Sequence, residues 1–150
     1  MAIGKLRGTV SVLMLLVSFS ADAQRSDDAG VICYKLQDHA SQRECLASRS
    51  AASAKELEGV EERVVNAFAS WDQKQDDRAR SLSLFADAKK RFEAARSSQC
   101  EFEASLSAGG NSQGDRRYLC EIEMNLRRSS DLRDVEKDLR SWSKDKSTGH

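Results

Sequence analysis

Proline is absent from the 150 residues, glycine occurs eight times, and Phe, Trp and Tyr together number nine. Without proline, no position carries a residue that must break a helix, so long helices are open to most of the chain. Charge of one sign is lacking as well: 24 Lys and Arg face 24 Asp and Glu, for a formal net charge of zero. The charges are not sorted into blocks, which argues against a nucleic-acid binder held by a basic field. Catalytic signatures are missing: there is no G-x-S-x-G, H-E-x-x-H, phosphate loop or G-x-G-x-x-G. His39 is the only histidine before the terminal His150, so a Ser–His or Cys–His pair has one possible base. The chain reads as a non-enzyme with no cofactor. A metal site is disfavoured by the same scarcity of histidine and by the absence of C-x-x-C.

What is present begins with a targeting pattern. Lys5 and Arg7 precede an apolar run from Thr9 to Phe19, and Ala21-Asp22-Ala23 supplies an A-x-A cleavage signal. This predicts a secretory signal peptide over 1–23. The run is too short for a bilayer core, which needs about 20 apolar residues, so no membrane insertion is expected after cleavage. Residues 24–32 read as a flexible N-terminus, 33–142 as the folded domain and 143–150 as a polar tail. Periplasmic or secreted placement follows.

Cys33, Cys45, Cys100 and Cys120 all lie in the mature part, and in an oxidising compartment four cysteines mean two disulfides by default. The clearest loop signal is Ala108-Gly109-Gly110-Asn111-Ser112-Gln113-Gly114. Cys100 and Cys120 stand ten residues either side of Gly110, so two antiparallel helices leaving that loop would place them opposite each other. Cys33 then pairs with Cys45. Twelve residues of continuous helix would hold these two about 18 Å apart, beyond the roughly 7 Å a disulfide spans. A turn is therefore expected near Asp38 to Ser41.

Three amphipathic stripes follow. Ser53 and Glu56 have the S-x-x-E spacing of a capping box, and Leu57, Val60, Val64, Phe68 and Trp71 recur behind it at steps of three and four. Asp76 and Asp77 suit the positive end of the next helix, whose stripe reads Leu82, Phe85, Ala88, Phe92, Ala95, Phe102 and Leu106. Asp115 is the expected cap of a third helix with Leu119, Ile122, Leu126, Leu132, Val135, Leu139 and Trp142 on one side. The stripes read as core packing of a coiled-coil-like kind, and the remaining charges as solvated surface. The fold class is all-α: a disulfide-braced antiparallel bundle of three long helices with a short N-terminal helical turn.

The run from Phe92 to Ser105, followed by Gly109-Gly110, Cys120, Arg128 and Leu132, resembles the LprI-type lysozyme inhibitor domain. That family's pattern has an aromatic four residues before an Arg, itself four before a Cys; a Gly-rich loop, a second Cys and a T-x-x-R-x-x-x-L helix follow. Phe92, Arg96, Cys100, Gly110, Cys120, Arg128 and Leu132 occupy those places, across roughly residues 33 to 133. Phe92 stands where the family usually has Trp, and Asn125 where it has Thr. In the first long helix this chain has Ala54, Leu57, Glu58 and Glu61 where the family reads A-D-x-x-L-N. The resemblance implies a protein that occludes the active-site cleft of a lysozyme. Such a cleft works with two carboxylates, so Arg116 and Arg117 beside the glycine loop are the candidate contacts. The other reading is a non-catalytic envelope interaction or scaffold module with a different protein partner.

Overall fold

In a computed structural model, residues 30–145 are described, with side chains from 30 to 142. The expected signal peptide, residues 24–29 and the end of the tail lie outside them. The chain forms a short helical turn at 30–33 and three long helices: α1 (His39–Ala69), α2 (Gln75–Ser105) and α3 (Gln113–Asp145). At 1.5 Å per residue each is about 46–50 Å long. Consecutive helices run antiparallel, so α1 and α3 lie side by side in the same direction. α3 packs along both of the others, whereas α1 and α2 meet sparsely, at the Phe68–Phe85 ring contact and the Lys89–Glu61 ion pair. Among the described residues there is no strand, and no helix is long and apolar enough to cross a membrane.

Both disulfides have the expected pairing. Cys33–Cys45 spans 5.6 Å between Cα atoms and Cys100–Cys120 spans 5.4 Å. The turn between the first two cysteines occupies 34–38. Asp38 caps α1, its carboxylate accepting from the Ser41 amide at 2.9 Å, and those hydrogen bonds hold its pKa below the ordinary aspartate range. Ser53-x-x-Glu56 is therefore not a helix start. It lies in mid-helix because the preceding alanine-rich stretch contains nothing to stop propagation from the cap. The segment expected to be flexible is already ordered at Gly30, which is buried; a Cβ there would sit 3.4 Å from Leu119. At the other end, α3 continues through Ser143 to Asp145, into the expected polar tail.

The α1 stripe is buried as expected. Leu57, Val60, Val64, Ala67 and Phe68 form one core cluster with Leu132 and Leu139, and Trp71, Leu82, Phe85 and Phe92 pack against it. The α2 stripe is half right. Its inward side is Leu82, Phe85, Phe92, Cys100 and Ala104, while Ala88, Ala95, Phe102 and Leu106 are exposed. Each three-residue step turns about 60° backward relative to a full turn, so a stripe that uses 85, 88, 92 and 95 drifts off the core. Val135 and Trp142 on α3 are exposed too, although Trp142 reaches the Trp71 ring at 6.1 Å.

Candidate functional site

The N-terminal ends of α1 and α3 and the C-terminal end of α2 gather at one end of the bundle, together with both disulfides. Parallel helices place two positive dipole ends side by side, an arrangement that a carboxylate between them stabilises. Asp115 fills that position. It is not the cap of α3, which begins two residues earlier at Gln113; it is a buried side chain, 2% exposed. His39 at the start of α1 donates to its Oδ2 at 3.0 Å, and Arg43 Nε stands 3.7 Å from Oδ1. The same guanidinium donates to the Asn111 carbonyl at 2.8 Å while lying across Gly114, where a Cβ would come within 2.8 Å of Arg43 Nη2. Tyr34 completes the group. Partial burial raises its phenol pKa, as does the Asp115 charge, and Arg116 works in the opposite direction.

The connection between α2 and α3 occupies 106–112, shorter than the glycine pattern suggests because Gln113 and Gly114 already belong to α3. Ala108 has φ +48° and Gly109 has φ +80°, so the chain reverses through the left-handed region, which glycine enters without penalty. Gly110 donates to the Ser107 carbonyl at 2.9 Å. The loop is clamped on three sides: by Cys100–Cys120 on its flanks, by Arg43 at Asn111, and by an ion pair of Arg117 with Glu101 at 2.5 Å. Of the two candidate contact arginines, Arg117 is thus committed to the hairpin. Arg116 remains exposed on the first turn of α3.

One turn deeper lies a polar seam that the apolar stripes did not announce. Ser50, Ser53, Asn125 and Ser129 are all buried. Arg96 donates to Asn125 Oδ1, Asn125 Nδ2 donates to Ser53 Oγ at 2.9 Å, and Ser53 Oγ donates to the Ser50 carbonyl at 2.8 Å. Ser50 Oγ in turn donates to Glu121 at 2.6 Å. This relay joins all three helices through one residue, Asn125. Its signal in the sequence is the spacing of Leu46, Ser50, Ser53 and Leu57, which continues the α1 stripe through small hydroxyls. Phe92 is half-buried rather than enclosed, with the guanidinium of Arg96 at 5.8 Å and of Arg128 at 5.6 Å from its ring centroid. The motif residues Phe92, Arg96 and Arg128 therefore form one cation–aromatic stack on the α2–α3 seam, with Leu132 in the core beyond it.

The charges are less uniformly solvated than expected. Glu61, 6% exposed, accepts from Lys89 at 2.8 Å, and this hydrogen bond raises the lysine's pKa against the opposing effect of burial. Arg63 reaches Glu136 at 3.1 Å, and Arg133 pairs with Glu56. Among the described residues, no group of three or more His, Cys, Asp or Glu gathers where it could hold a metal ion. Comparison with models of known families, with curated proteins and with solved structures finds no match to this chain.

Proposed function

We propose that the chain is an exported, non-catalytic protein-binding domain whose hairpin end enters a concave site on its partner, and that this partner is a lysozyme. The observation that carries the reading is the clamped loop 106–112. A disulfide across its base, a cation bound to the Asn111 carbonyl and an ion pair on its flank fix the loop before binding, which lowers the ordering cost of association. The resemblance at Phe92, Arg96, Cys100, Gly110, Cys120, Arg128 and Leu132 supplies the lysozyme. The chemistry fits, because a glycosidase cleft carries two carboxylates and Arg116 is an exposed cation at the loop's edge. Two disulfides and the absence of a membrane-crossing helix among the described residues support export.

A turbidity assay with lysozyme and bacterial cells tests this. The mature protein should slow lysis, and Arg116→Ala should weaken the effect while leaving helix content unchanged by circular dichroism. Added salt should weaken it in the wild type, since exposed charges are screened over about 8–10 Å at physiological ionic strength. Arg117→Ala should act differently, by loosening the hairpin. Unimpaired lysis at high micromolar protein overturns the lysozyme reading and leaves the domain as a scaffold for another partner.

A further inference from the structure

α2 is packed on one side only. Of its 31 residues, Cys100 and Ala104 alone are fully buried, and its outward side carries Leu84 at 60%, Phe102 at 58% and Leu106 at 57% exposure. These are not scattered. Leu84 and Phe102 are 18 residues apart, about five complete turns at 3.6 residues per turn, so they share one azimuth. Ala88, Arg91 and Ala95 lie between them within about 40° of that line, and all three are exposed. The result is a straight strip with a large apolar residue near each end and mostly small side chains in the middle. Beside Phe102, the residues Ala94, Ser97, Ser98, Glu101 and Ser105 leave a shallow hollow.

Charge along the helix is asymmetric. Among its exposed charges, Arg80, Lys90 and Arg91 in the N-terminal half outweigh Asp87, whereas Glu93 and Glu101 lie in the C-terminal half. A helix laid antiparallel on this one, with the same sequence, would set its basic half against the acidic half twice over. The same operation, a two-fold axis near residue 93, brings Leu84 of each copy opposite Phe102 of the other. The small residues at 88 and 95 permit close approach of the axes, whose usual separation of about 8–10 Å depends on the contacting side chains.

We infer that the outward face of α2 is a self-complementary interface on which a second copy of this chain docks antiparallel, pairing Leu84 with Phe102 across a two-fold axis. Such an isologous contact uses one patch on both copies and closes at two. It would carry the two hairpin loops to opposite ends of the dimer, roughly 48 Å apart at 1.5 Å per residue, leaving both loops free. The interface is independent of the lysozyme reading.

Sedimentation equilibrium of the disulfide-intact chain over a concentration series tests the inference. The wild type should shift from monomer to dimer mass, and both Leu84→Asp and Phe102→Asp should remain monomeric at the highest concentration with unchanged helix content. Orientation is read by mixing a Leu84→Cys protein with a Phe102→Cys protein under mild oxidation. The mixed 84–102 cross-link should dominate over 84–84 and 102–102. A wild type that stays monomeric at high micromolar concentration, a dimer that survives both Asp substitutions together, or a preference for the like-with-like cross-links each overturns the proposal.

Discussion

The same two helices, α1 and α3, meet in two chemically different ways along their length. Toward the α2–α3 loop their seam is polar: Ser50, Ser53, Asp115, Asn125 and Ser129 are buried there, fastened by hydrogen bonds and flanked by both disulfides. Toward the opposite end it is apolar, with Val60, Val64, Ala67, Phe68, Leu132 and Leu139 in one cluster and an aromatic cap of Phe68, Trp71, Phe85 and Trp142. The apolar half is held by non-directional burial, which tolerates volume-conserving exchange. The polar half is held by directional bonds and covalent bridges, which fix geometry and tolerate little. Stability and shape are thus assigned to different ends of one bundle. The end with fixed shape is the end that carries the clamped loop.

The largest effect is expected at the apolar end. Phe68→Ala removes a ring that is 8% exposed and in contact with Trp71 and Phe85, and should cost about 3–5 kcal/mol through lost transfer energy and a cavity. Denaturant unfolding measures this. A much smaller loss would show that the aromatic cap contributes little and that the polar end carries the fold.

Next comes the covalent brace. Replacing Cys100 and Cys120 together by Ser should cost about 3 kcal/mol on a loop-entropy account. Amide exchange should quicken first around the α2–α3 loop and the starts of α1 and α3, and least around Phe68. Uniform acceleration along the helices would mean that the two ends are one cooperative unit.

Asn125→Ala cuts the relay at its centre, stranding the Arg96 guanidinium and the Ser53 hydroxyl, and should cost about 1–3 kcal/mol. Asn125→Thr, which restores a hydroxyl, should recover part of it. Identical losses for the two would remove the hydrogen bonds from the account and leave only packing.

The smallest effect concerns Asp38, fully exposed at the cap of α1. Its folded pKa is depressed by the Ser41 hydrogen bonds, so its contribution is present above the ordinary aspartate range and is lost as pH falls through the lowered folded value. Asp38→Asn should keep the cap and flatten that part of the acid limb of a stability–pH curve. An unaltered acid limb in the variant would assign the slope to other carboxylates.

The sequence read alone was most informative where periodicity or symmetry carried the signal. The two disulfides were legible because Cys100 and Cys120 are equidistant from Gly110, and because a helix cannot bring Cys33 to Cys45 without a turn. The α1 core was legible from steps of three and four between large apolar residues. The polar seam was not, since a buried serine is indistinguishable from a solvated one until its partner on another helix is in place; Asn125 stood out only as a departure from a family pattern. Asp115 was misassigned for a related reason. An aspartate near a helix start is favourable as a cap or as a first-turn charge, and the presence of His39 and Arg43 beside it depends on α1 and α3 being parallel neighbours. The α2 stripe failed by accumulated rotation, and the residues it wrongly sent inward, Ala88, Ala95, Phe102 and Leu106, are those that form the outward strip.

The disulfides pair in chain order, first with second and third with fourth, across 12 and 20 residues. A polypeptide that appears N-terminus first therefore presents each cysteine with its correct mate before the next pair is in reach. Cys33 and Cys45 can be oxidised while Cys100 is still 55 residues from emerging, and no wrong bridge has to be undone. Maturation of this chain requires an oxidant but no shuffling catalyst: a simple thiol oxidase should bring it to its native bridges as fast as one supplemented with an isomerase.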